Sequence, residues 1–348
     1  MTAFDRRDLL KGAGAAALAA AAGTPAFAQS GGRVVVGTWG GDYARLLTKN
    51  IEDPILKPKG IEVVQDQAGD APRRAKMVAE KRLPRGTVDI QGFSAANMFE
   101  MNEAGVLEPI DYAKLPNAKN LLPTMKYPYG MGHIYSGNVV IYNPKLISPA
   151  PKGFKDWLDP KWGSKIGFID IQYQSIFIAA SMAATDGKDM NDLDKAKEVL
   201  LAVKKAGGRV YPTNEAFAAA MKNEEIGISA IWKARVVQWQ NAGIPCEAVS
   251  PIEGIPTYVS GFVIAKNAPN KANAYAYMDA MLAKAPQEAF AVDMGYNGTV
   301  SGLDIDPALQ KRIGFTPEEE KTLKDLDYAF LAKNDAAMKE WWDKVFKG

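Results

Sequence analysis

Among its 348 residues the chain has one cysteine, Cys246, and one histidine, His133. A lone cysteine cannot close an intramolecular disulfide, so stability must come from packing. A lone histidine excludes a His-rich metal cluster, and a hydrolytic triad would have to take that residue as its base. A Walker loop, a Gly-x-Ser-x-Gly elbow and a His-Glu-x-x-His pair are all missing. Cys246 sits in Ile244-Pro245-Cys246-Glu247-Ala248-Val249, which reads as a short strand where cysteine acts as a small buried hydrophobe. These residues specify no catalytic site, metal or cofactor, and an exported hydrolase or isomerase stays open only as an alternative without a motif.

Charge of one sign is lacking too. The formal net charge is +2 with no basic tract, which argues against nucleic acid as a partner. After the first 28 residues no apolar run approaches bilayer-spanning length, so a soluble chain is expected. Composition is that of an ordinary globular protein, with 47% hydrophobic and 24% charged residues. The length suits two compact domains.

Residues 1–28 form the most specific local pattern: Arg6-Arg7-Asp8-Leu9-Leu10-Lys11, an Ala/Gly run from Gly12 to Gly23, then Ala26-Phe27-Ala28. A charged start, a weakly apolar middle and a small-x-small site make an export signal, and the paired arginines point to the twin-arginine route. Gln29, not cysteine, follows the expected cleavage site, so the mature protein is expected unlipidated in a bacterial periplasm.

The remainder alternates β-rich runs with helical patterns, the signature of α/β architecture. Strands are expected at Arg33–Thr38, Ile61–Gln65 and Val88–Gln91, with helices at Tyr43–Glu52, Arg73–Lys81 and Ala95–Ala104, and a parallel sheet is the first expectation. Val139-Val140-Ile141-Tyr142 reads as the first crossing between lobes. A second α/β unit follows, with strand Ile166–Ile169 and helices Gln174–Thr185 and Leu193–Ala206, before a return strand at Tyr258–Ala265. At the C-terminus Met338, Trp341, Trp342 and Val345 fall at i, i+3, i+4 and i+7, the stripe of a terminal helix docked on the core.

Several segments in fixed order carry a resemblance: Trp39-Gly40-Gly41, Asp89-Ile90 with Ser94, Glu103-Ala104-Gly105-Val106-Leu107-Glu108-Pro109-Ile110-Asp111, Tyr142-Asn143-Pro144-Lys145, Trp157-Leu158-Asp159-Pro160-Lys161-Trp162 and Gly295-Tyr296-Asn297-Gly298-Thr299. From Val34 to about Thr299 the chain resembles the solute-binding proteins of bacterial ABC importers, specifically the spermidine/putrescine-binding group. The resemblance implies a two-lobed periplasmic-binding-protein fold of type II-like form, with a ligand cleft between lobes joined by hinge strands. The expected lobes are residues 31–138 with 262–305, and 139–261 with 306–348. It further implies a non-enzymatic, monomeric receptor whose partners are a small-molecule ligand and the transmembrane subunits of an ABC permease.

The resemblance implies ligand contacts from Trp39, Gly40, Ser94, Asp170, Gln174, Trp232, Lys233, Tyr258, Ser260 and Tyr296. Where the group carries acidic anchors for amines, this chain has Ile171, Gln174 and Ser260, leaving Asp170 as the acidic candidate near the cleft. Lys233 and Arg235 follow Trp232, where relatives carry small polar residues; they either enter the cleft or form a solvated helix start. Trp39 and Trp232 either line the cleft or belong to lobe cores, and Tyr296 is either a ligand contact or a loop anchor. A carboxylate-bearing or amphipathic solute is the expectation, a true polyamine binder the alternative. A ferric-ion binder, which would present neighbouring tyrosines, finds no Tyr-Tyr pair here.

Overall fold

The computed structural model describes residues 31–348; the expected export signal, residues 1–28, lies outside the described residues. Strands Gly32–Thr38, Ile61–Gln67 and Ile90–Ser94 pair in parallel, with Gly32–Thr38 between the other two. Helices Asp42–Leu47 and Asp70–Ala79 begin the connections. Beyond Leu47 the first helix continues to Leu56 in wider π-type turns that hold Pro54. The parallel expectation stops at these three strands. Ile255–Ile264 lies antiparallel to both Ile90–Ser94 and Gly130–Tyr142, because it returns from the second lobe and not from a crossover helix.

The strand Gly130–Tyr142 serves two sheets. Its first half pairs with Thr257–Phe262, and Asn138–Tyr142 pairs with Ile228–Trp232 and in part with Glu247–Val249. One apolar core, including Val36, Ile90, Phe93 and Phe262, packs under the first sheet. Another, including Trp157, Phe168, Phe177 and Trp342, fills the second unit, where Ala196, Leu200 and Val203 of helix Leu193–Lys205 point inward as their spacing requires.

The terminal helix Tyr328–Trp341 docks on that second core, but its stripe is corrected at one position. Val345 is 40% exposed, whereas Phe346 is buried and stacks 4.4 Å from Trp342. Residues Trp342–Phe346 form a π-type turn, with the Lys347 amide donating to the Trp342 carbonyl five residues back. The wider turn advances the buried face by one residue. Trp342→Ala is therefore expected to cost about 3–5 kcal/mol, and Val345→Ala within about 0.5 kcal/mol of zero, read from urea-unfolding midpoints; equal costs would show a regular α-helical turn.

Gly130 and Gly132 precede His133 in the sequence. It lies inside Gly130–Tyr142, fully buried, and the glycines serve close packing: a Cβ on Gly132 would come 2.9 Å from Met125 Sδ. Its Nδ1 is 2.8 Å from the Tyr43 hydroxyl, and its ring lies edge-on to Phe290 and Phe262. Burial pushes the imidazole down to about 3, so it stays neutral in the fold while the unfolded chain takes up a proton near the ordinary value of about 6.5. The unfolded state binds more protons between those values, so stability falls as pH drops through that window, by up to about 1.4 kcal/mol per pH unit. Comparing pH–stability curves of the wild type and His133→Gln isolates this contribution; superimposable slopes would contradict it.

Candidate functional site

The ends of the strands from both units meet at one cleft of about 930 Å³. Trp39 and Gly40 follow strand Gly32–Thr38, Ser94 ends strand Ile90–Ser94, and Trp232 ends strand Ile228–Trp232. Crevices outside the strand ends are where α/β sheets place their ligands. Helix Tyr173–Thr185 starts on the opposite wall and contributes Tyr173 and Gln174. Eight of the ten residues expected at the site line this cleft: Trp39, Gly40, Ser94, Gln174, Trp232, Tyr258, Ser260 and Tyr296.

Aromatic rings form much of the wall. Trp232 and Tyr258 lie 4.4 Å apart, Tyr258 and Tyr296 6.1 Å apart, and Trp39 meets Tyr43 edge-on at 5.0 Å. Tyr258 and Ser260 share a strand face, as their spacing of two dictates, and their hydroxyls are 2.8 Å apart. In register, Ser260 pairs with Ser94, whose Oγ caps helix Ala95–Glu103 by accepting from the Asn97 amide. Burial raises the hydroxyls of Tyr43, Tyr258 and Tyr296 above the ordinary phenol value, so all three remain neutral hydrogen-bonding groups.

Two expected residues are corrected. Asp170 faces the C-terminal helix: it accepts from Trp342 Nε1 at 2.7 Å and from Lys347 Nζ at 2.8 Å, which locks the end of that helix to the strand end. Lys233 turns away from the cleft, donating to the Gly314 carbonyl with its ammonium 4.7 Å above the Phe315 ring. Burial lowers its pKa. Its neighbour two residues on goes the other way, because a helix rotates about 100° per residue.

Arg235 lines the cleft, half-buried; its Nη1 donates to Gln238 Oε1 at 2.8 Å, and Gln238 in turn donates to the Met294 carbonyl. Its Nε is buried without a partner, and no carboxylate pairs with it among the described residues. The other two cleft arginines are each paired, Arg45 with Asp42 at 3.1 Å and Arg74 with Glu100.

Sequence reasoning missed several wall residues. Tyr43 sits one turn after Trp39, a spacing that could have found it. Asp70 lines the cleft with Oδ1 accepting from the buried Arg73 at 2.6 Å and Oδ2 from Asn97 Nδ2 at 2.7 Å; burial, the larger influence, raises its carboxyl pKa despite both. Asp335, from the terminal helix, accepts from the Tyr173 hydroxyl and from Gln174 Nε2 at 2.5 Å. No local signal marks Asp335, which lies far along the chain from its partners. Cys246 is buried in an apolar cluster that pushes its thiol up to about 12, outside the range of a nucleophile, and it does not line the cleft. Among the described residues no group of three or more His, Cys, Asp or Glu side chains could hold a metal ion.

The comparisons agree with this architecture. The family described as bacterial extracellular solute-binding protein matches residues 53–316. The spermidine/putrescine-binding periplasmic protein 1 of Haemophilus influenzae is 26% identical over 277 residues, spanning 76% of this chain and 75% of that protein. The Agrobacterium tumefaciens R10 binding protein AgtB, solved in complex with agropinic acid, superposes with a TM-score of 0.74 at 21% identity, covering 91% of this chain and 99% of that one. A spermidine/putrescine ABC transporter substrate-binding protein from Streptococcus pneumoniae gives 0.71 at 19% identity, again over 91% and 99%. The fold is thus that of a two-lobed binding protein, and the chain belongs to the family of bacterial extracellular solute-binding proteins.

Proposed function

We propose that this chain is the solute-capturing component of an ABC importer and that its solute carries a carboxylate. Arg235 is the observation behind that reading. A guanidinium presents a fork of donors that matches a carboxylate bidentately, and a buried N–H without a partner costs free energy that such a ligand would recover. Here the fork stands in an aromatic-walled cleft with no acid beside it. Helix Lys233–Asn241, which carries Arg235, also begins at this wall, and the positive end of its dipole favours an anion there. Trp232, Tyr258 and Tyr296 supply apolar faces for the body of the solute. The absence of acidic side chains at Ile171, Gln174 and Ser260 speaks against a naked polyamine, although the Haemophilus relative is named for one.

In the same reading, residues 1–28 direct export, the mature chain works unlipidated in the periplasm as a monomer, and a permease takes the solute from it. Lobes 31–138 with 262–305, and 139–261 with 306–348, close by a hinge motion because the ligand contacts both.

Calorimetric titration with a panel of carboxylates, amino acids, putrescine and spermidine tests the chemistry. Carboxylates or amino acids are expected to bind, with Arg235→Gln weakening them by about tenfold to a hundredfold; tight polyamine binding, or an Arg235→Gln variant of undiminished affinity, would overturn the reading. Trp232→Ala removes the ring that stacks on Tyr258 and is expected to weaken the same ligands by at least about tenfold, with the thermal midpoint little changed. Unaltered affinity would remove Trp232 from the contact set.

A further inference from the structure

We propose that the cleft contains an ammonium subsite at Asp335, so that the solute is a zwitterion with carboxylate and ammonium at opposite ends of a slim body. The inference rests on the carboxylate reading of Arg235 and adds the second charge.

Asp335 comes from helix Tyr328–Trp341, which also gives Tyr328 and Leu331 to the wall. Its Oδ1 takes two donors, the Tyr173 hydroxyl and Gln174 Nε2, while Oδ2 accepts no hydrogen bond among the described residues. Both donors are neutral. Among the described residues no cation pairs with this half-buried carboxylate, although two stand in the neighbourhood. Lys339, one turn further along the same helix and 5.6 Å above the Tyr173 ring, is held by both oxygens of Asp343 at 2.6 Å. Arg74, on the wall contributed by helix Asp70–Ala79, is paired with Glu100.

The remaining cleft acids differ from it. Asp42 is paired with Arg45, Asp293 with Lys49 at 2.8 Å, and Asp70 with Arg73 at 2.6 Å. Glu215 has no partner among the described residues but is exposed on a helix start, where water solvates it. Asp335 is therefore the partly buried cleft acid without a counter-charge, as Arg235 is the cleft arginine without one.

The two uncompensated charges restrict what fits. A diamine would satisfy Asp335 and set its other ammonium against Arg235 or leave the guanidinium unpaired; a dicarboxylate would fail at Asp335 for the converse reason. A ligand bearing one charge of each sign satisfies both, and rejection of the mismatched classes follows from leaving a half-buried charge alone. The rings of Trp232, Tyr258 and Tyr296 would then contact the uncharged body between the two ends.

The test is a calorimetric comparison of straight-chain ω-amino acids and α-amino acids with their deaminated acids, on the wild type, Asp335→Asn and Arg235→Gln. An asparagine still accepts from Tyr173 and Gln174, so the local hydrogen bonds survive; matching thermal midpoints would verify the fold. In the wild type at least one amino acid is expected to bind about tenfold or more tightly than its deaminated counterpart. Asp335→Asn should bring that amino acid down to the level of the acid, whereas Arg235→Gln should weaken amino acid and acid together. Three results would overturn the subsite: no amino acid in the panel binds, the deaminated acids bind as tightly, or the preference for the amino group survives in Asp335→Asn. Failure of the Arg235→Gln arm alone would sink the carboxylate reading and leave the amine preference measurable, so the two failures are told apart.

Discussion

Thirteen consecutive residues, Gly130–Tyr142, hydrogen-bond to one set of strands over their first half and to another over their second. Everything at the cleft depends on this continuity. A strand cannot bend freely while it is laddered on both sides, so the two sheets are held end to end and the strand ends of each face the gap between them. The return strand Ile255–Ile264 runs beside it and contributes Thr257, Tyr258 and Ser260 where the gap opens. The ladder between the two strands shifts register between Ser260 and Gly261, beside the cleft.

Arg73 behind the wall and Arg235 in the cleft illustrate opposite uses of one side chain. Arg73 is almost fully buried behind the wall, and its donors reach the carbonyls of Ala68 and Gly92, Gln91 Oε1 and Asp70 Oδ1. Its guanidinium lies 4.9 Å from the Trp39 ring and 5.0 Å from Phe93. Such a charge is tolerated only because its donors are met and its faces are stacked, and in return it fixes the orientation of Trp39. Arg235 has far fewer protein contacts. An arginine held by its surroundings builds a wall, and one left with an open donor recognises a ligand.

Where hydrophobic periodicity and strand-end position carry the information, the sequence was readable. Trp39 and Trp232 line the cleft as their place directly after a β-rich run suggests, whereas Tyr258 and Ser260, taken from the resemblance, line it on one shared strand face. The motif residue Asp89 has a structural role, accepting from the Val35 and Asn270 amides, as the buried Glu253 does from those of Phe154 and Lys155. Asp170 was misread because acidic character beside a strand end does not reveal which neighbour neutralises it, and its neighbours Trp342 and Lys347 arrive from the far end of the chain. Lys233 and Arg235 could not be separated without the helix phase. The shift from Val345 to Phe346 required a π-type turn, which leaves no mark in a pattern built on 3.6 residues per turn.

The amide at Gln174 and the acid at Asp335 are best understood as one choice. Gln174 donates to Asp335 at 2.5 Å, so a glutamate at 174 would set two carboxylates in contact, and one of them would have to keep its proton at neutral pH. The cleft therefore holds one negative charge at this point, carried by the terminal helix and steadied by a side chain that can only be neutral. Asp335 touches the first two residues of helix Tyr173–Thr185 and so stands at the positive end of that helix, where the dipole favours a carboxylate. That helix start is thus already matched by an anion of the protein. The anionic part of a ligand has to be met elsewhere on the wall, at Arg235, which separates the two charges along the cleft.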